Sequence, residues 1–199
     1  MSNSKILPLT ETAIAAAVAF ALSFLTINIA ETFYLEFAVI PIILLSLRRG
    51  VRWGLAAGLI FSLLLFVTGR VSALPLNSMP SFLTSIFAAF PKDLRLPILQ
   101  YSDGILEYFI APISLAVAGF FKSHHLTATK VALAAVVASL VKYFFHFVAG
   151  GIFWGNYAPK GWNPWLFSFA TQGLSGILTA IVAAIILVIL YKSIPKLLN

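Results

Sequence analysis

ATKVALAAVVASLVKYFFHFVAGGIFWG, residues 128–155, is the stretch that decides the fold class. Its ionisable side chains are Lys130, Lys142 and His146, and the rest is dominated by apolar and small residues. As a helix rising ~1.5 Å per residue it is long enough to cross the ~30 Å hydrocarbon core of a bilayer. On either side of it, comparable apolar runs occupy 12–30, 33–47, 51–69, 101–121 and 165–191. The run at 33–47 is broken by Pro41 and reaches only about 22 Å, so a short or broken helix is expected there. The whole chain is 61% hydrophobic and 10% charged, with a mean hydropathy of +1.01. A soluble domain of 199 residues has no way to hide that much apolar surface, whereas lipid tolerates it. The expected fold is therefore an all-α integral membrane protein, a single domain over 1–199 with six segments that cross or enter the bilayer.

Residues 70–100 interrupt the pattern. Pro75, Pro80, Pro91 and Pro97 punctuate them, with Arg70, Lys92, Asp93 and Arg95 close by. Ser81–Phe90 is apolar but too short to span. A long loop carrying an interfacial helix and a plain disordered connector both fit this stretch.

The net charge of +7 is distributed by side rather than by patch. Lys5, Arg48, Arg49, Arg52, Lys122, Lys130, Lys192 and Lys196 fall at one set of segment ends, with Glu11 as the acid among them. Arg70, Lys92, Arg95 and Lys160 fall at the other set, with Glu31, Glu36, Asp93 and Asp103. The positive-inside rule makes the first set cytoplasmic, which places both termini in the cytoplasm and the 70–100 loop outside. Tyr191 and Lys192 stand where an interfacial anchor belongs. The first apolar run lacks a cleavage context and reads as a retained helix rather than a signal peptide. The chain has no cysteine, which excludes disulfides, zinc thiolates and cysteine nucleophiles. It carries neither a Walker A nor a zincin motif.

Glu107, Lys142 and His146 are ionisable groups inside predicted spans. Such groups cost a few kcal/mol on insertion scales and mark functional sites by default. Glu107 and Lys142 pairing with each other is the structural alternative, and it is compatible with a binding role. By rise per residue, Glu107 lies roughly 9 Å and His146 roughly 13 Å below the outer ends of their helices. Lys142, His146, Gly150 and Trp154 recur every four residues and share a stripe. Phe167 and Gln172 enter from the outer end of the last segment. These groups converge on a pocket open to the outside, suited to a small aromatic or cationic ligand. Trp162 and Trp165 read as an interfacial aromatic belt. His124 and His125 read as loop residues, and no metal site is expected. In the first helix Ala13, Ala17 and Ala21 form a small-residue row, with Ala15 and Ala19 on a neighbouring register. Docking of another helix and packing within the monomer both account for that row.

The stretches IPIILLSLRRG at 40–50, ILEY at 105–108 and above all KYFFHFVAGGIFWGNYAPKG at 142–161 carry a resemblance to a known family. The chain resembles the substrate-binding S-components of energy-coupling-factor (ECF) vitamin transporters, and among them the thiamine-specific member. The resemblance covers nearly the whole chain except the 70–100 loop, which is longer here. It implies a six-helix S-component that captures its vitamin outside and has no transport power of its own. Such a protein docks on a transmembrane coupling subunit bearing two ATPase subunits, through small-residue rows on helix 1, here the Ala13/Ala17/Ala21 region. Site residues carried over by the resemblance are Glu107 for an aminopyrimidine ring, Tyr108 beside it, and His146 and Trp154 flanking a thiazolium. Lys142 and Gly150 are implied in support, and the Phe33/Tyr34 pair as an aromatic of the first outer loop. Phe167 and Gln172 depart from the family's Tyr and Asn. That removes a hydroxyl and lengthens an amide, a change of about 1 kcal/mol per hydrogen bond that leaves room for a thiamine precursor or derivative. Two readings from other classes compete. An intramembrane enzyme using Glu107 and His146 lacks a nucleophile, and a proton-coupled carrier lacks internal repeats.

Overall fold

The computed structural model describes residues 6–29, 33–71 and 81–198. Lys5, Glu31, Pro75 and Pro80 lie outside the described residues. Helix α1 (Ile6–Leu22) buries Thr12, Ala15, Ala16 and Ala19. It stops at Leu22, short of the expected end at residue 30, with Ser23 Oγ donating to the Phe20 carbonyl at 2.7 Å. A β-hairpin follows, strand β1 (Ile27–Ile29) against β2 (Phe33–Leu35), with Asn28 opposite Tyr34. A continuous helix to residue 30 and a second starting at 33 are therefore both corrected. The physical reason is that hydropathy is the same for strand and helix, while Thr26, Ile27, Ile29, Phe33 and Tyr34 are β-branched or aromatic and suit a pleated strand.

Helix α2 (Val39–Arg49) has Pro41 in its first turn, where the missing N–H is no loss, so the proline starts the helix instead of breaking it. At 11 residues it spans only ~16 Å. Gly50 closes it with φ +92°, its N–H donating to the Ser46 carbonyl at 2.7 Å, and helix α3 (Val51–Val67) begins at the next residue. A side chain is disfavoured twice over at this turn. The left-handed φ of Gly50 favours glycine, and a Cβ on Gly119 would meet the Gly50 carbonyl carbon at 2.6 Å.

A short helix α4 (Ser81–Ile86) lies where an interfacial helix is expected. Helix α5 (Lys92–Phe121) then runs for 30 residues. It starts nine residues before the apolar run that marks it in the sequence, because Lys92, Asp93 and Arg95 make a polar first turn and Pro97 sits on its exposed side. Its middle is a π-helical segment, Ile105–Ile110, which brackets Glu107. Helix α6 (Ala128–Phe153) is capped by Thr127 Oγ1, which accepts from the Lys130 N–H at 3.2 Å. Helix α7 (Pro164–Ser193) is capped by Asn163 Oδ1 on the Trp165 N–H at 2.8 Å and carries its own π segment, Phe169–Gly173.

Helices α5, α6 and α7 are long and apolar enough to cross a membrane, and α1 and α3 are shorter apolar helices of 17 residues each. The most extensive packing is α6 against α7. Ala134, Ala135, Ala138 and Ser139 on one side and Ser175, Gly176, Ala180 and Ala183 on the other let the backbones approach closely. Phe24, Phe120, Ile181, Ile185 and Ile189 project outward, as a lipid-facing surface requires. The molecule is an all-α membrane bundle.

Candidate functional site

A cavity of about 310 Å³ opens at the end of the bundle opposite the Gly50 turn. It is walled by the ends of α1 and α3, the hairpin, the π segment of α5 and the C-terminal half of α6. Its apolar floor comes from Phe61, Leu65 and Pro112, and its polar wall from Tyr34, Glu36, Glu107, Tyr108, Lys142 and His146.

The polar wall is a chain of contacts. Glu36 Oε2 accepts from Lys142 Nζ at 2.6 Å, and Lys142 Nζ lies 3.0 Å from His146 Nε2. An ammonium donates only, so Nε2 is the acceptor and the ring hydrogen sits on Nδ1. Nδ1 faces Glu107 Oε1 at 3.6 Å, too long for a hydrogen bond. Tyr143 Oη donates to Glu36 Oε2 at 3.4 Å and contacts Thr179 Oγ1 at 3.2 Å, anchoring Glu36 to α7. Lys142 therefore pairs with Glu36 and not with Glu107, because the hairpin brings Glu36 across the mouth of α6. Glu107 is only 9% exposed, and its Oε1 has no hydrogen-bond partner among the described residues. A buried carboxylate oxygen facing a cavity without a donor is costly unless a ligand supplies one.

Tyr34 is held in place from two sides. Its hydroxyl donates to Gln172 Oε1, and its N–H donates to Ser175 Oγ at 3.1 Å, which straps the hairpin to α7. The Tyr34 and Tyr143 rings stand 6.1 Å apart and Tyr143 stands 5.3 Å from the His146 ring, giving one aromatic wall. Gln172 is thus one bond removed from the cavity. Gly150 lies behind the wall, where a Cβ would collide with Ser168 on α7, so it sets the α6–α7 spacing.

Not every candidate reaches the lining. Trp154 packs with Leu99, Ala149 and Phe153 in a neighbouring apolar cluster and stacks on Tyr157 at 5.5 Å. Phe167 is half-buried in the first turns of α7, away from the lining residues. On α1, Ala13, Ala17 and Ala21 are exposed while Ala15 and Ala19 are in contact with the core, so the two registers face opposite ways. His124 and His125 are exposed between α5 and α6.

Ser23, Thr26, Glu36, Phe61, Leu65, Arg70 and Pro112 line the cavity without having been singled out in the sequence. Glu36 reads there as one more outer-loop acid, and nothing local links it to a lysine 106 residues away. Asp103 was legible in principle. It precedes Glu107 by one helical turn, is 4% exposed, and its Oδ1 also lacks a partner among the described residues.

The chain is similar to known proteins over nearly its whole length. The thiamine transporter ThiT of Lacticaseibacillus paracasei is 30% identical over 98% of this chain and 92% of its own length. The thiamine transporter ThiT of Bacillus subtilis is 29% identical over 81% of this chain and 76% of its own length. A solved structure of ThiT from Listeria monocytogenes superposes with a TM-score of 0.77 at 31% identity, covering 98% of this chain and 99% of that one. The family model described as thiamine transporter protein matches residues 9–91 and 78–199, and the chain belongs to that family.

Proposed function

We propose that this protein is the thiamine-binding S-component of an ECF-type transporter, taking the vitamin from outside into the cavity beneath the hairpin. The observation that carries the reading is the unpartnered Glu107 carboxylate, buried in a cavity beside Tyr108 and His146, in a chain of the thiamine transporter family. An aminopyrimidine presents a row of N–H donors that a carboxylate reads through charge-assisted hydrogen bonds. The Tyr34, Tyr108 and His146 rings offer faces for the heterocycles, and the Glu36–Lys142 pair fixes His146 by holding the cation on Nε2. Glu36 and Glu107 outnumber Lys142 on this wall, which favours the cationic thiazolium. Gly150 acts through spacing. Gln172 acts through Tyr34, and Phe167 and Trp154 stand outside the lining.

Both termini lie in the cytoplasm and the cavity faces outward, as the positive-inside count supports. Energy comes from two ATPase subunits through a transmembrane coupling subunit that docks on the exposed Ala13/Ala17/Ala21 face of α1. A row of small residues facing lipid lets a partner helix approach closely. The test is a titration of the purified chain in detergent with thiamine, its pyrimidine and thiazole fragments, riboflavin and biotin, read by tryptophan fluorescence. Saturable quenching by thiamine alone is expected. A response confined to the pyrimidine fragment would move the substrate to a precursor, the reading for which Phe167 and Gln172 leave room. Silence across the panel from folded protein would overturn a vitamin site.

A further inference from the structure

At the Gly50 end of the bundle two further cavities meet at one arginine. The first is an apolar groove of about 370 Å³ between α1, α2 and the end of α7, with Ile14, Val18, Leu44 and Leu190 in its walls. Ile14 and Val18 are 57% and 43% exposed, so the groove opens on the outward surface of the bundle. The second cavity, of about 430 Å³, is lined by Arg48, Lys122, Ser123 and His124 between Leu47 and Leu198. Arg48 lines both. Its Nη1 donates to the Lys196 and Leu197 carbonyls at 3.3 and 3.1 Å, which fixes the guanidinium at the junction. Glu11 also borders the groove, but its oxygens are turned to Arg48 and Arg49, and one carboxylate against two guanidinium groups leaves positive charge in excess. Lys122 adds to that excess. Its Nζ donates to the Arg49 carbonyl at 3.4 Å, and it has no carboxylate partner among the described residues.

The surroundings decide what fills the groove. A cleft with apolar walls on the lipid-facing side of a membrane bundle takes an acyl chain, because hydrocarbon is its solvent. The adjoining cavity adds a choice of headgroup. Guanidinium and ammonium donors suit phosphate oxygens, and basic pockets at the ends of membrane helices favour anionic lipids. A zwitterionic headgroup brings its own cation, which Arg48 and Lys122 repel. We propose that the Gly50 end binds one anionic glycerophospholipid, with an acyl chain in the groove between α1, α2 and α7 and the phosphate against Lys122 and Arg48. This site is separate from the ligand cavity and does not rest on the thiamine reading.

The full chain, immobilised in detergent, is equilibrated with an equimolar mixture of phosphatidylglycerol and phosphatidylcholine carrying the same acyl chains. Retained lipid is extracted and measured by mass spectrometry, and each variant's unfolding midpoint is checked against the wild type. The wild type is expected to retain phosphatidylglycerol about tenfold over phosphatidylcholine, and Lys122→Gln to cut that preference about fivefold, as for the loss of one cation near a headgroup. Val18→Trp fills the groove from its exposed side and is expected to lower retention of both lipids. Lys160→Gln, at the other end of the bundle, is expected to change neither. Inorganic phosphate is expected not to compete. Equal retention of the two lipids by the wild type, or an equal loss of preference in Lys122→Gln and Lys160→Gln, would overturn the headgroup site. Displacement by inorganic phosphate, or retention unmoved by Val18→Trp, would overturn the lipid and leave a pocket for free anions. Retention of neither lipid by the wild type would overturn the proposal and leave the groove to a protein partner.

Discussion

Among the described residues the bundle has an ion-pair cluster at each end, and the two are built to opposite purposes. At the Gly50 end Glu11 meets Arg49 in a two-pronged pair, with Nη2 at 2.8 Å, and meets Arg48 Nη2 at 3.3 Å. Arg48 Nη1 also caps the Leu197 carbonyl at 3.1 Å. The carboxylate there is fully engaged, its side chain is 19% exposed, and the backbones beneath it touch at Gly50 and Gly119. At the cavity end Lys142 is 2% exposed and its carboxylate partner Glu36 is held by Tyr143, yet Glu107 beside them keeps an oxygen without a donor. The first cluster ties α1, α2 and the C-terminal turn together. The second is half satisfied, and the unsatisfied half faces the cavity. The candidate site is readable as the place where polar satisfaction stops short.

Substitutions that treat the two ends alike test that contrast. Lys142→Met has the largest expected effect, because it strands Glu36 beside the bundle interior. A loss of about 3–5 kcal/mol is expected from breaking a buried pair on one side, read as a lowered unfolding midpoint in detergent. Glu36→Gln added to it should restore most of the stability, and a double variant as unstable as the single would show that Lys142 matters by packing alone. Glu107→Gln comes next. It should weaken thiamine about 10–100-fold, the range for hydrogen bonds to a charged group, with the unfolding midpoint unchanged or raised. A fall in stability would place Glu107 with the structural cluster. Tyr34→Phe removes the strap to Gln172 and should cost roughly fivefold in affinity, about 1 kcal/mol. Glu11→Gln should do least, below about 1 kcal/mol in stability because the pair is partly solvated, and should leave the thiamine titration superimposable on the wild type. A shift in affinity from Glu11→Gln would mean that the two ends are coupled through α1 and α2.

Glu107 and His146 were legible because one ionisable group in an apolar run is an anomaly that a single residue reveals. Glu36 was not, since it stands at a segment end where an acid is ordinary, and only its contact with Lys142 gives it meaning. The stripe from Lys142 to Trp154 carries its lower half to the cavity wall. Its upper end, at the last turn of α6, leans into the Leu99/Phe153 cluster, which helical spacing along α6 does not foretell. The hairpin was hidden by its own hydropathy. The early start of α5 was hidden by proline and charge, which mark loops in most contexts and here form the first turns of a long helix.

Membrane residence, the number of apolar segments and the identity of the intramembrane groups follow from the sequence, because transfer into lipid is a sum over residues that needs no knowledge of neighbours. Which carboxylate holds Lys142, which stays open to a ligand, and which alanine row of α1 faces outward were decided by tertiary structure. Alanine rows recur all round α1 and give its faces no contrast in hydropathy, so only the packing of α2 and α3 against Ala15, Ala16 and Ala19 selects the inner one. Ion pairing likewise depends on distances between segments more than a hundred residues apart, which no local pattern encodes.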